Sequence, residues 1–314
     1  MCEKCKTQNR ASDGDSDLRV VVDRLAKKQE ELADVLQRFM NGMAETSGPT
    51  RAATAEADRS TLVRALSRVT ARIVGGHPTT GFPNCCLIGR RNPNGAIDWF
   101  CTGVLIHPSI VLTAGHCFIQ TRQANVVALN ASDQNQLQNA ELINIRRMAV
   151  HPRYQQTHKL SDMSVAILRK AATTAPVPVA STAELNGATR VTLVGFGNDD
   201  IHSTRGFGVK REVEVDMVSI RRAAADDLDA DEQKFGYESD LEFVAGGRGF
   251  DTCNGDSGGP VYISVGGATK VVGLTSRATD DAVNPCGDGG IYTRIDANFD
   301  FVRQIANDAG IQLP

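Results

Sequence analysis

Hydrophobic positions recur every seven residues in the first part of the chain, in two rows offset by four: Leu18, Leu25, Leu32, Phe39 and Val22, Gln29, Leu36, Met43. This heptad pattern predicts a helix over residues 17–43 with one polar position, Gln29. The helix either packs as an amphipathic segment on the core of its own chain, or associates with itself or a partner, and the pattern leaves both open. A second, shorter helix is predicted over residues 56–69.

Short runs rich in β-branched residues replace the helical pattern from residue 73 onward. Clear examples cover residues 104–106, 126–129, 191–194, 212–215 and 271–274, separated by Gly, Pro, Asn and Asp. They predict strands of an all-β barrel or sandwich. A last helical pattern covers residues 297–306. The chain therefore divides into a helical segment, residues 1–72, and a β-rich domain, residues 73–314.

Charge and composition narrow the classes of partner. The chain has 314 residues, with 34 Lys and Arg against 37 Asp and Glu, so its formal net charge is −3. Nucleic-acid binding calls for a clearly basic surface, and we expect no nucleic-acid partner. No apolar run reaches the ~18 residues of a membrane span, so no span is predicted.

Eight cysteines hint at an oxidising compartment. The N-terminus, however, lacks the apolar stretch that a signal peptide needs. These two observations point to different locations for the protein.

Three short segments carry the candidate chemistry. They are Leu-Thr-Ala-Gly-His-Cys at residues 112–117, Ser-Asp-Met-Ser-Val at 161–165 and Cys-Asn-Gly-Asp-Ser-Gly-Gly-Pro at 253–260. A lone histidine is usually structural, and Gly-Asp-Ser-Gly alone can be a turn. Their joint occurrence, with Cys101 and Cys117 on either side of the histidine segment, argues against coincidence.

With these motifs in the order His, Asp, Ser, residues 73–314 resemble the trypsin/chymotrypsin family of serine proteases. The resemblance implies two antiparallel six-stranded β-barrels with a C-terminal helix. It also implies hydrolysis of peptide bonds in a protein or peptide substrate through an acyl-enzyme, with no cofactor. Residues 130–136 offer too few carboxylates for calcium, and no metal site is predicted.

The resemblance assigns the catalytic roles. A serine hydroxyl is a weak nucleophile until a base takes its proton, so Ser257 is the expected nucleophile and His116 the expected base. Asp162 is expected to fix the tautomer of the imidazole and to stabilise the imidazolium. The backbone N–H groups of Gly255 and Ser257 are expected to form the oxyanion hole, for which glycine at position 255 is suited.

The substrate pocket is also inferred from the resemblance. Asp251 stands six residues before Ser257, where trypsin-like members carry the aspartate of the pocket floor. A buried carboxylate needs a cationic partner, which a substrate Arg or Lys supplies. Gly290 matches the small residue of the pocket wall, and Ser276 matches a residue lining the same cleft. The alternative is that Asp251 pairs with Arg248, leaving the pocket uncharged.

This sequence departs from the family along the substrate edge. It has Ser276-Arg277-Ala278 where the family usually has Ser-Trp-Gly. The lost indole removes an apolar floor for substrate residues before the cleaved bond. We expect Arg277 to favour acidic residues there, and Ala278 to narrow the mouth of the pocket.

An activation site is implied where the two parts of the chain meet. Arg72-Ile73-Val74-Gly75-Gly76 resembles the cleavage site of the family's zymogens. Cutting after Arg72 would free the ammonium of Ile73, which in the family pairs with the aspartate before the nucleophile, here Asp256. Residues 1–72 are then a helical pro-segment.

The resemblance also pairs four cysteines, Cys101 with Cys117 and Cys253 with Cys286. Cys85 and Cys86 are adjacent on a predicted strand, so they point to opposite faces and are expected to be free thiols. Cys2 and Cys5 form a CxxC that is open between half a zinc site, a redox pair, a tethering disulfide and an inert tail. Two disulfides are compatible with an oxidising or a reducing compartment. The missing signal peptide therefore favours a cytoplasmic location, although the family is usually secreted.

Two other functions remain open from the sequence. One is a protease-fold binding protein without activity, against which the intact triad argues. The other is a protease that is active only in a complex, recruited through the helix at residues 17–43.

Overall fold

The computed structural model describes residues 76–118, 123–155, 157 and 159–313. The helices predicted over residues 17–43 and 56–69 lie outside the described residues. So do Arg72 and Ile73 of the predicted activation site, and Cys2 and Cys5.

Six antiparallel strands close the first barrel. They are β2 (Cys85–Arg91), β3 (Ile97–His107), β4 (Ile110–Thr113), β5 (Val126–Leu129), β6 (Glu141–Val150) and β7 (Ser164–Leu168). The barrel closes in the order β2-β3-β4-β7-β6-β5. Its strands include the predicted runs at residues 104–106 and 126–129.

Six further antiparallel strands form the second barrel. They are β8 (Arg190–Gly195), β9 (Arg211–Ser219), β10 (Glu242–Ala245), β11 (Pro260–Val265), β12 (Ala268–Ala278) and β13 (Gly290–Arg294). The order β9-β10-β13-β12-β11-β8 closes because β8 also pairs with β9. The short strand β1 (His77–Pro78) is added to the outer edge of β9. The prediction of two six-stranded barrels is confirmed.

Side-chain alternation explains how the strands bury their cores. In β9, Val213 and Val215 are buried, whereas Glu214 and Asp216 face water, as expected for a strand with one solvated face. The short strand β7 is buried along its whole length. Where the two barrels meet, a shared apolar cluster includes residues of both: Leu87, Leu112, Val194, Tyr262 and Leu274.

Three α-helices complete the described part of the chain. Helix α1 (Thr182–Gly187) begins with a capping box between Ser181 and Glu184. Helix α2 (Asp229–Phe235) ends at Gly236, whose φ of 72° suits glycine. Helix α3 (Phe299–Asp308) buries Phe301, Val302 and Ile305, which confirms the predicted C-terminal helix. Residues Asp296–Asn298 form a 3-10 turn instead of its first turn.

Candidate active site

His116 and Asp162 meet because β4 and β7 are antiparallel neighbours. Thr113 pairs with Ser164, so His116, just after β4, and Asp162, just before β7, leave the same end of the strand pair. His116 Nδ1 lies 2.7 Å from Asp162 Oδ2, and the His116 backbone N–H donates to Asp162 Oδ1 at 2.9 Å. A carboxylate on Nδ1 holds the proton there, so Nε2 of the neutral ring is free to accept one.

Ser276 supplies a third hydrogen bond from the described residues to the carboxylate of Asp162. Its hydroxyl donates to Asp162 Oδ2 at 2.7 Å. The β12–β13 register shifts between Thr275 and Arg277, so Ser276 is the additional residue of a bulge, and a bulge redirects side chains. Asp162 is only 2% exposed, and three donors compensate for the burial of its charge. The residue predicted to line the substrate cleft is thus bonded to the carboxylate of the candidate triad.

The loop carrying Ser257 is held against the first barrel beside His116. The Thr102 N–H donates to the Ser257 carbonyl at 2.9 Å, and the Thr102 hydroxyl donates to the Gly255 carbonyl at 2.9 Å. Thr102 follows Cys101, which forms a disulfide with Cys117 next to His116. Two consecutive residues of β3 therefore hold the two candidate groups: Thr102 binds the loop of Ser257, and Cys101 is linked through its disulfide to the residue after His116.

Glycine is required at position 255 of this loop. Gly255 has a φ of 100°, and a Cβ there would lie 2.5 Å from the ring of Phe207. A side chain would be strained and would clash. The glycine thus permits the backbone turn that precedes Asp256 and Ser257.

Asp256 is a fully buried carboxylate within the same loop. Its Oδ1 accepts the Gly197 N–H at 2.7 Å, and its Oδ2 accepts the Cys253 N–H at 2.8 Å. Burial raises the pKa of Asp256 to about 7, although these hydrogen bonds act to lower it. Among the described residues, no cationic side chain forms an ion pair with it.

Asp251 is likewise buried, at 2% exposure. Its Oδ1 accepts the Thr252 N–H at 2.7 Å and the Tyr292 hydroxyl at 2.9 Å, and its Oδ2 accepts the Gly289 N–H at 3.1 Å. Burial raises the pKa of Asp251 to about 6. A Cβ on Gly290 would lie 2.8 Å from Asp251 Oδ1, so glycine leaves the space beside the carboxylate open.

Arg248 does not pair with Asp251. Its side chain is exposed, and the ion pairs between described residues do not include these two. The alternative that the sequence left open, an Asp251 already neutralised by Arg248, is wrong.

Comparison with known proteins identifies the family of this chain. A family model described as Trypsin matches residues 73–302, more than half of the chain. The chain belongs to the trypsin family.

The relatives of this trypsin-family chain include proteins of different length. A trypsin from Saccharopolyspora erythraea is 26% identical over 244 residues, which cover 76% of this chain and 100% of the relative. CLIP domain-containing serine protease B4 from Anopheles gambiae is 27% identical over 262 residues, 75% of this chain and 71% of the relative. Vitamin K-dependent protein C from Mus musculus is 30% identical over 228 residues, 68% of this chain and 47% of that protein.

Arg277, the departure from the usual trypsin-family pattern, is already engaged within the protein. Its guanidinium donates to both oxygens of Glu242, at 2.5 and 2.9 Å, and to the Gly236 carbonyl at 2.8 Å. Glu242 is completely buried, and the Arg277 side chain is 13% exposed. The ion pair with Glu242 balances the charge of Arg277 within the protein, and the expectation that Arg277 favours acidic substrate residues stays a prediction. Ala278 lies opposite Gly290 in the β12–β13 register.

In the described part of the chain, four cysteines form two disulfides and two are free thiols. Cys101 pairs with Cys117, and Cys253 pairs with Cys286. Cys85 and Cys86 are free and buried. They lie in different apolar clusters, because adjacent strand residues face opposite ways. Burial raises the pKa of Cys85 to about 12, so the thiol stays protonated.

Three contributors to the site had no motif in the sequence. Thr102 anchors the Ser257 loop, Tyr292 donates to Asp251, and Glu242 binds Arg277. Each lies far along the chain from the residue it contacts. Thr102 directly follows the recognised Cys101, and Tyr292 stands two residues after Gly290, whereas Glu242 lies near no recognised segment. Among the described residues, none of the helices is long and apolar enough to cross a membrane.

Proposed function

We propose that this chain is a serine endopeptidase whose catalytic triad is His116, Asp162 and Ser257. The observation that carries the proposal is the hydrogen bond of 2.7 Å between His116 Nδ1 and Asp162 Oδ2, beside the anchored Ser257 loop. A buried carboxylate, an oriented imidazole and a serine on a glycine-rich turn are the parts that acyl transfer requires. Membership of the trypsin family supports the same chemistry.

In the proposed mechanism, Ser257 Oγ attacks the scissile carbonyl carbon while its proton passes to His116 Nε2. Asp162 stabilises the imidazolium. The N–H groups of Gly255 and Ser257 donate to the oxyanion, where each such donor lowers the barrier by about 3 kcal/mol. The C–N bond then breaks, the leaving amine takes the proton from His116, and the acyl-enzyme remains. Water activated by His116 attacks the ester, releasing the acid and restoring Ser257.

A labelling experiment tests this role. The chain trimmed at Arg72 is treated with a fluorophosphonate and mapped by mass spectrometry, with Ser257→Ala and Ser264→Ala as matched variants. We expect one adduct, on Ser257, retained in Ser264→Ala. Correctly folded, trimmed protein without this adduct would instead favour an inactive binding protein.

We further propose cleavage after Arg or Lys. Asp251 supports this, because it is buried, accepts hydrogen bonds only from neutral donors among the described residues, and lies beside the space that Gly290 leaves open. A substrate guanidinium or ammonium would supply the missing positive charge. Asp251→Ser should lower kcat/KM for Arg and Lys peptides by at least a hundredfold, whereas Asp300→Ser, a fully solvated control, should not. Unchanged cleavage after Arg and Lys in Asp251→Ser would contradict the proposal.

The third part of the proposal is activation by cleavage after Arg72. Asp256 supports it, since its carboxylate is buried and forms no ion pair with a cationic side chain of the described residues, although Arg211 acts to lower its pKa; such a carboxylate suits the new ammonium of Ile73. Trypsin treatment should convert the full chain into an active form beginning at Ile73, as N-terminal sequencing would detect. Arg72→Gln should stay inactive, and Arg68→Gln should activate normally. An uncut Arg72→Gln chain with full activity would refute the zymogen.

A further inference from the structure

The loop that carries Ser257 contains an asparagine followed directly by a glycine. In such a pair the glycine nitrogen can attack the side-chain carbonyl carbon of the asparagine, which closes a five-membered succinimide ring and releases ammonia. Glycine favours the attack, because it has no side chain to hinder the approach and its backbone is the most permissive. In the described part of the chain the pair occurs as Asn94-Gly95, Asn186-Gly187 and Asn254-Gly255.

The glycine nitrogens of these pairs differ in their hydrogen bonds. The Gly95 N–H donates to the Asn92 carbonyl at 2.9 Å. Gly187 is the last residue of α1, where backbone N–H groups bond to carbonyls one turn earlier. The Gly255 N–H has no acceptor among the described residues. Because a base must remove the proton before the nitrogen attacks, the Gly255 nitrogen is the one most open to activation.

The side chain of Asn254 is accessible and held by one contact. The residue is exposed, so water and base reach its amide. Its Nδ2 donates to the Ser203 hydroxyl at 2.7 Å, and the side chain has no second hydrogen bond with the described residues. The main chain is held on both sides, because the Asn254 carbonyl accepts the Asn198 N–H at 2.9 Å and the Gly255 carbonyl accepts the Thr102 hydroxyl at 2.9 Å. The reacting atoms therefore stay close together.

We propose that Asn254 is a site of spontaneous deamidation that inactivates the protein as it ages. The Gly255 nitrogen loses its proton to a solvent base and forms a bond to Asn254 Cγ. The Cγ–Nδ2 bond breaks, and the departing nitrogen takes up a proton and leaves as ammonia. Water then opens the ring at either carbonyl, which gives aspartate or isoaspartate at position 254. Water is the only co-reactant.

The products alter the candidate oxyanion hole, and for this consequence the inference rests on the proposed endopeptidase function. In the succinimide the Gly255 nitrogen carries no hydrogen, so one of the two oxyanion donors is lost. In isoaspartate the main chain runs through the former side chain and is one carbon longer, which displaces the Gly255 N–H from Ser257. Loss of one such donor lowers kcat by about a hundredfold. Aspartate keeps the donor.

The modification is measured on the full chain with Ser257→Ala, which prevents self-cleavage. The protein is incubated at pH 6 and at pH 8, and its peptides are mapped by mass spectrometry at intervals. A synthetic peptide of residues 251–258 is incubated in parallel. We expect the segment with Asn254 to gain about 1 Da, faster at pH 8, and an isoaspartate methyltransferase to label it.

Internal and matched comparisons make this result specific. Asn94 and Asn186 should keep their amides longer than Asn254. Ser203→Ala releases Nδ2 and should speed the mass gain at Asn254, whereas Ser264→Ala should not change it. The proposal is overturned if Asn254 keeps its amide after the synthetic peptide is fully converted, if Asn94 is converted first, or if the rate is the same at both pH values.

The consequence for activity is measured on the trimmed wild-type chain aged at pH 8, with intact mass used to exclude self-cleavage. Its kcat for a peptide substrate should fall by the combined fraction of succinimide and isoaspartate. Asn254→Gln should keep its own starting kcat, because a glutamine must close a six-membered ring and reacts more slowly. Asn94→Gln should lose activity as the wild type does.

The two proposals fail in different ways. Conversion at Asn254 with an undiminished kcat would overturn the inactivation. Conversion at Asn254 in a trimmed chain that never labels at Ser257 with a fluorophosphonate would remove only the endopeptidase role.

Discussion

The buried pair of Arg277 and Glu242 gives a quantitative prediction about stability. Glu242 is fully buried and both its carboxylate oxygens bind the guanidinium, while the Arg277 side chain is 13% exposed. Removing one partner of a buried pair leaves an uncompensated charge and costs about 3–5 kcal/mol. Because Arg277 is slightly solvated, we expect Arg277→Met to lower the free energy of unfolding by about 3 kcal/mol. In a domain of this size that is a fall in Tm of roughly 6–12 °C.

The double variant Arg277→Met/Glu242→Gln separates charge burial from lost packing. Gln keeps the size of Glu242 and can still accept the Glu238 N–H, which donates to Glu242 Oε2 at 3.1 Å. With the buried charge removed, most of the lost stability should return. Urea unfolding, followed by circular dichroism, measures all variants in a Ser257→Ala background, which prevents self-cleavage.

The pH dependence supplies a second readout for the same pair. Burial raises the pKa of Glu242 even with Arg277 present, and the guanidinium acts to lower it. Without Arg277 the pKa of Glu242 rises further, so the folded state binds a proton that the unfolded state does not. The stability deficit of Arg277→Met should then shrink as pH falls from 8 to 5. The reasoning is refuted if Arg277→Met costs less than about 1 kcal/mol, or if the double variant is no more stable than the single one.

Three further predictions concern the candidate active site. Ser276→Ala removes one of the three hydrogen bonds that link the Asp162 carboxylate to described residues. We expect kcat for a peptide substrate to fall roughly tenfold with folding retained, and an unchanged kcat would exclude a positioning role. Gly255→Ala brings a Cβ within 2.5 Å of the Phe207 ring and should lower kcat by about a hundredfold, as the loss of one oxyanion donor does. The control is Gly187→Ala, whose Cβ meets open space and which should leave kcat unchanged. In uncut Arg72→Gln, burial raises the pKa of Asp256 to about 7, so the free energy of unfolding should be greatest below the pKa of the unfolded state and should decline as pH rises through about 7. Thermal unfolding at pH 5 and pH 8 measures this difference. Asp256→Asn should remove most of it.

Local sequence was sufficient for the five predicted β runs, which fall in β3, β5, β8, β9 and β12, and for the C-terminal helix. The run at residues 126–129 is β5 to the residue, and Phe301, Val302 and Ile305 form the buried face of α3. Such features follow from the spacing of apolar residues, which the chain carries locally. The helical segment at residues 1–72 and its activation site remain predictions from the same kind of pattern.

The sequence by itself determined the types and the order of the chemical groups: a histidine, an aspartate and a serine in their motifs, and an aspartate six residues before the serine. Only the tertiary structure decided which groups the side chains of Ser276 and Arg277 contact, in the segment where the sequence departs from the family pattern. The bulge at Ser276 directs its hydroxyl to Asp162, and Arg277 is directed to Glu242, 35 residues away along the chain. Register shifts and contacts between distant strands set these directions, and neither is encoded in a local pattern of hydrophobic and polar residues.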